Sequence, residues 1–446
     1  MEYIKIEDYF LLLLYVILLY TLVFIHSKKY KGTGLRRYFI SAFILHIVGT
    51  VLYAMVIQYF YGYGDSFGFF EGGKFIQNLV SSTGDPFTPF LNSSEDFQKM
   101  VSVNTGGDFT LPTGIDTDSN LIIMKISALL SYMSFNSYII ISLFFGMFSF
   151  IGLWKLFKTL NDISQKKGQR MLAIAILYTP SIWFWGSGLI KDSLCLGCIG
   201  LLAYFIHKIL IKKKFGIKDP ILMFLLFYLL FVIKSYLASV MLISFALSCT
   251  LFLILKSRTN IFKFASVIGI VLVTASILIL SFSNNLDSIL EDTSKNIEVF
   301  KGAYSNAEIE DARTNSSFTA VEVNGSLSDI VLKSPIAILT TLFRPFFWEV
   351  QKPIMALSAL ESFLTLLATV FVLLKCRIHK FFRYILSDPY LFFSFTFSLI
   401  LAAIVGISTF NFGTMVRYRL PILPFYLFML VYIYIKHKES LLEKSK

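Results

Sequence analysis

Charge is what this chain has least of. Only 15% of its 446 residues are charged, against about 25% in an ordinary soluble domain. With 56% hydrophobic and 17% aromatic residues and a mean hydropathy of +0.70, a soluble globular protein is excluded and a polytopic membrane protein is expected. Cysteine is also scarce. Of the four, Cys195 and Cys198 have CxxC spacing but lie inside an apolar run, where that spacing merely sets two small residues on one helix face. The five histidines form no metal cluster, and HExxH, P-loop and GxSxG patterns are absent, so neither a metal nor a cofactor is expected. No internal repeat appears, which disfavours an inverted-repeat transporter.

A net charge of +12 would suit nucleic acid, but the lysines and arginines gather in short turns between apolar runs, where they orient a chain against anionic lipid. Nucleic acid is therefore set aside. The fold expected is an all-α bundle of about eleven crossings over 1–446, with two large extracytoplasmic loops and interfacial helices. Its apolar runs lie near 9–25, 38–60, 137–156, 171–185, 193–209, 220–255 (two short crossings), 261–282, 353–374, 391–410 and 421–435. Basic turns after several of them define the cytoplasmic face, which puts the N-terminus outside and the C-terminus in the cytoplasm.

Two long polar segments belong on the other face. The first loop, 61–120, has six acids in excess over its lysines, and so has the polar part of the second, 283–352. Residues 121–133 are too short to span, and 327–343, with apolar residues in helical spacing broken by Pro335, reads as a helix lying in the outer interface.

The cationic motifs fall on the acidic-loop side, where orientation does not require them, and this points to an anionic ligand. Arg344-Pro345-Phe346-Phe347-Trp348-Glu349 offers a bidentate fork to a phosphate, with Glu349 orienting it or receiving a sugar hydroxyl proton; the alternative is an Arg344–Glu349 ion pair that anchors the preceding helix. Arg417 and Arg419 would converge on one diphosphate if their turn is extended, and would otherwise snorkel to headgroups. Gly186-Ser187-Gly188 gives a turn with room for backbone to approach a ligand, ahead of Lys191 and Asp192, the latter a candidate cap. Lys234 sits midway between two basic turns, as phosphate ligand or as bend connector. Asp65, after Tyr61-Gly62-Tyr63-Gly64, is either part of a simple turn or a general base or metal ligand at the membrane surface.

Residues 180–192 (PSIWFWGSGLIKD), 344–349 (RPFFWE) and 417–421 (RYRLP) together resemble bacterial polysaccharide repeat-unit polymerases of the O-antigen type. That resemblance implies joining of undecaprenyl-diphosphate-linked oligosaccharides at the outer face, with Arg344, Arg417 and Arg419 holding diphosphate, and envelope-biosynthesis proteins as partners beside the polyprenyl-linked saccharide and membrane lipids. Gly64-Asp65-Ser66 is instead similar to C-type polyprenyl-phosphate glycosyltransferases, although the chain lacks their paired acids and soluble C-terminal domain. A lipid-glycan flippase or transporter, or a non-catalytic envelope subunit, is the reading from a different class.

Overall fold

Inside a bilayer every backbone N–H and C=O must be satisfied within the segment, and a long apolar run meets that demand by forming a helix. The computed structural model describes residues 2–85, 87–105, 115, 117–256, 327–409 and 411–445; among these the regular elements are helices and no strand is present. Seven helices of the described part are long and apolar enough to cross a membrane, or eight if one bent pair counts as a span. The expected run at 261–282 and most of the second acidic loop lie outside the described residues. Helix α1 (Ile6–Ser27) presents Leu13, Leu14, Leu18 and Leu22 more than half exposed, as a surface meeting lipid rather than water would.

The chain divides into two compact units, one formed by Met1–Thr159 and Ile182–Lys234, the other by Leu160–Ser181 and Ser235–Lys446. In the first, α2 (Leu35–Met55) widens into a π-helical turn (Val56–Tyr61), a feature that often marks functional sites. Gly62 (φ 72°) and Gly64 (φ 146°) then turn the chain through backbone conformations that disfavour a side chain, and α3 (Asp65–Thr83) starts at once. After the short helices α4 (Thr88–Leu91) and α5 (Ser94–Thr105), α6 (Asp118–Ser134) packs along α3. The expected short segment 121–133 is thus a helix of 17 residues. Next along the chain come α7 (Tyr138–Ile163), then α8 (Gln169–Leu177), which belongs to the second unit, and then α9 (Pro180–Trp185) and α10 (Lys191–Leu210). A Cβ at Gly152 of α7 would overlap Gly197 of α10, and one at Gly200 would overlap Gly152. This backbone-to-backbone approach is how membrane helices lock without a hydrophobic driving force. Helix α11 (Lys218–Ile233) closes the unit.

The second unit holds α12 (Ser235–Lys256), α13 (Leu327–Phe343), α14 (Pro353–Cys376), α15 (Ile378–Ser387), α16 (Pro389–Ser408), α17 (Phe412–Tyr418) and α18 (Ile422–Lys444) with α8. Pro335 does not break α13; the helix runs through it, as proline is tolerated in apolar helices whose neighbours compensate. A Cβ at Gly406 would meet the Ala337 backbone, and the Thr341 hydroxyl donates to the Ala402 carbonyl at 2.8 Å. One helix counts up as the other counts down, so α13 lies antiparallel along α16 with Ala337 and Thr341 fully buried. Helices α17 and α18 meet at a bend of 62°.

Candidate functional site

The first unit assembles its charges at helix starts. Asp65 opens α3, and the next residue fixes it: the Ser66 hydroxyl is 2.8 Å from the Tyr138 hydroxyl at the start of α7. The Tyr138 ring is enclosed by Tyr3, Phe67 and Phe70. Lys191 opens α10 and its Nζ donates to Ser119 Oγ in the first turn of α6 at 2.6 Å. Lys234, Asp65 and Asp192 all lie within electrostatic reach of Lys191.

Asp192 is not the helix cap expected of it: Ile190 holds the cap position and Asp192 lies in the first turn of α10. Its Oδ1 accepts from Lys234 Nζ at 2.5 Å, with side-chain exposures of only 1% and 7%. Lys234 is the single residue between α11 and α12, in a non-helical conformation (φ −146°, ψ 85°), so it is indeed a bend residue. A buried ammonium requires a partner, and Asp192 supplies it. The glycine turn differs from the sequence expectation. Residues 186–190 are buried, a Cβ at Gly188 would strike the Tyr53 ring, and the Ser187 carbonyl accepts from Thr50 Oγ1 at 2.9 Å. Gly188 serves close packing on α2 and Gly186 close packing on the Ile182 carbonyl and Leu196, which leaves no room there for a ligand.

In the second unit α13 ends at Phe343 and Arg344 turns back on Glu349. Nε donates to Oε1 at 2.9 Å and to Oε2 at 3.2 Å, Nη2 adds a further bond to Oε1, and the Phe346 N–H donates to Oε2 at 2.8 Å. The guanidinium also lies over the Phe412 ring at 5.3 Å. This pair keeps some contact with the surroundings, with side-chain exposures of 21% and 17%.

Arg419 is 1% exposed. Its Nη1 donates to the Arg344 carbonyl at 2.9 Å and to Ser362 Oγ at 2.7 Å, while Ser362 itself donates to the same carbonyl at 3.0 Å. Nη2 reaches Glu361 Oε1 at 3.3 Å, and Glu361 Oε2 accepts the Ser181 N–H at 2.8 Å. Among the described residues Arg419 Nε has no hydrogen-bond partner. Arg417 closes α17, and Arg419 (φ −78°, ψ −8°) continues its helical twist. Side chains two residues apart on such a twist diverge, so the extended turn that would converge both arginines is not what the chain adopts. The cause is local: the Asn411 side chain caps α17 by accepting the Gly413 N–H at 2.7 Å and starts a helix where a loop is expected.

Glu361 is the residue that sequence reading passed over. It is the lone acid of the apolar run 353–374, and a solitary ionisable residue at membrane depth is a functional signal in itself. It lines a cleft of about 560 Å³ bounded by Met171, Ile174, Phe371, Leu430 and Tyr434. That is within the usual range for ligand sites. From Glu361 to Val372 the wall follows α14 for roughly 16 Å at 1.5 Å per residue, and along it the lining is apolar apart from Glu361 and Thr365.

Against family models, curated proteins and solved structures, nothing matches. The geometry therefore has to carry the functional argument. The expected site residues fall into two sets, Asp65, Lys191 and Lys234 in one unit and Arg344, Glu349, Arg417 and Arg419 in the other. Among the described residues no group of His, Cys, Asp or Glu is disposed to hold a metal ion.

Proposed function

We propose that this chain transfers glycosyl units from a polyprenyl-(di)phosphate-linked saccharide at the outer face of a bacterial inner membrane, joining repeat units of an envelope polysaccharide. The topology that goes with this is about eleven crossings, the N-terminus outside and the C-terminus in the cytoplasm. One observation carries the reading. In a single unit, a partly exposed arginine fork is tied through its own carbonyl to Arg419, which meets Glu361 at the polar end of a long apolar cleft. A substrate with an anionic head and a hydrocarbon tail needs both parts.

The Glu349 carboxylate occupies the Arg344 fork as two phosphate oxygens would. Diphosphate entering the fork displaces Glu349, which is then free to take the proton of the attacking sugar hydroxyl. The hydroxyl oxygen bonds to the anomeric carbon, the bond from that carbon to the diphosphate oxygen breaks, and Arg344 stabilises the charge that develops on the leaving group. Arg419 works as a positioning residue, since its guanidinium holds the Arg344 backbone. A C-type transferase reading rests on Asp65 at a glycine-bounded helix start, within electrostatic reach of Lys191.

Membranes containing the protein, given undecaprenyl-diphosphate-linked oligosaccharide, should build a ladder of longer lipid-linked glycans. Arg344→Lys retains charge but loses the fork, so turnover should fall at least roughly tenfold, the value of one charge-assisted hydrogen bond, with protein level unchanged. Full activity in Arg344→Lys together with loss in Asp65→Asn would transfer the proposal to the C-type chemistry; a ladder-free wild type would end both.

A further inference from the structure

We propose that the elbow formed by the end of α14 and helix α15 binds the headgroup of an anionic phospholipid. The ten residues of α15 separate by character around the helix. At 100° per residue, Ile378, Phe381, Phe382, Ile385 and Leu386 fall on one side, and His379, Lys380, Arg383, Tyr384 and Ser387 on the other. Phe381 and Ile385 are buried, whereas Ile378 (64% exposed), Phe382 (44%) and Leu386 (54%) are not. This exposed apolar edge sits between two membrane-length helices, α14 and α16, and beside it lie the cations Lys375, Arg377, Lys380 and Arg383.

Among the described residues none of these four cations has an ion pair. The nearest carboxylate along the chain, Asp388, accepts from the Tyr390 and Leu391 N–H groups and pairs with Lys436. Helix α15 is held in place from its polar side by the Tyr384 hydroxyl, 3.1 Å from Ser440 Oγ on α18. Arg377 makes the turn between α14 and α15 alone, with φ 59° and ψ 142°, a conformation that costs an arginine free energy. A phosphodiester with acyl chains satisfies both halves of this surface at once: phosphate on the cations, hydrocarbon on Ile378, Phe382 and Leu386. A soluble anion would satisfy only the first.

The full-length protein in phosphatidylcholine vesicles, with a trace of photoactivatable phosphatidylglycerol, tests the assignment. Crosslinks should map to residues 375–387, and unlabelled phosphatidylglycerol should compete them away. Each cation near an anionic surface is worth about fivefold in affinity. Arg383→Gln should therefore weaken competition about fivefold, and Arg377→Gln/Lys380→Gln/Arg383→Gln by roughly a hundredfold. The control Lys28→Gln/Lys29→Gln/Lys31→Gln, in another basic turn, should leave it unchanged. Should the triple elbow variant not fold, Arg383→Gln, an exposed single change, carries the test. Equal labelling by a photoactivatable phosphatidylcholine would overturn the proposal, and so would equal weakening in the control. Inorganic phosphate that displaces the label better than chloride at matched ionic strength would make this a site for free phosphate and would overturn the lipid assignment.

Discussion

Asp192→Asn removes one charge of a pair buried to 1% and 7% side-chain exposure and leaves the Lys234 ammonium without its carboxylate. Breaking a buried pair in this way costs about 3–5 kcal/mol, most of it the penalty of the stranded charge. For a unit of this size each kcal/mol moves the melting midpoint by roughly 2–4 °C, so a loss of roughly 6–20 °C is expected. Lys234→Met strands the opposite charge and should cost as much. The double variant Asp192→Leu/Lys234→Met has no stranded charge and should recover most of the loss, because apolar residues often replace a buried pair at little cost. Thermal unfolding in detergent, followed by intrinsic fluorescence, measures all three. Glycan-ladder formation by the recovered double variant then separates packing from chemistry: a stable and inactive protein assigns Lys234 to the substrate, a stable and active one confines it to the bend. Single variants that melt with the wild type would refute the burial argument, as would a double variant that melts with the singles.

A cysteine at Ser94 in α5 should be labelled by an impermeant thiol reagent in intact, outer-permeabilised cells; labelling only after lysis would invert the orientation proposed here. Glu361→Gln keeps the volume but takes the acid partner from Arg419, and with that guanidinium fully buried the loss should again be about 3–5 kcal/mol in a melting experiment. In the first acidic loop, the Thr88 hydroxyl and then the Phe87 and Thr88 N–H groups hold the Asp85 carboxyl below its ordinary value of 3.8. A carboxyl lowered on folding contributes stability above its unfolded pKa and loses it as pH falls through the folded one. Amide exchange at Phe87 and Thr88 should therefore quicken below pH 3.8 relative to neighbouring amides, and Asp85→Asn should abolish that pH dependence.

Helical class was legible because an apolar run of membrane length has little alternative to a helix, and the bounds of 327–343 follow from apolar spacing that ends at Arg344. Pairing was legible only where partners are near in sequence, as with Arg344 and Glu349. The roles of Arg419, Glu361 and Asp192 depend on partners 58, 58 and 42 residues away, and no local pattern encodes such contacts. The 417–421 turn misled for another reason: glycine and proline nearby suggested an extended loop, but one Asn411 side chain was enough to cap a helix.

The Arg419 guanidinium touches Arg344, Ser362 and Glu361, and Glu361 in turn holds Ser181. Viewed as an order of synthesis, these contacts run backwards: Arg344 leaves the ribosome 75 residues before the side chain that will fix its carbonyl. Until residue 419 has been inserted, the Arg344 carbonyl has the Ser362 hydroxyl but not the guanidinium, and Glu361 is a carboxylate in hydrocarbon without its counter-ion, a state that costs several kcal/mol. A chain that stops before residue 419 should therefore be recognised as unfinished by membrane quality control, and the contacts that join Arg344, Ser362 and Glu361 can close only after α17 has been made.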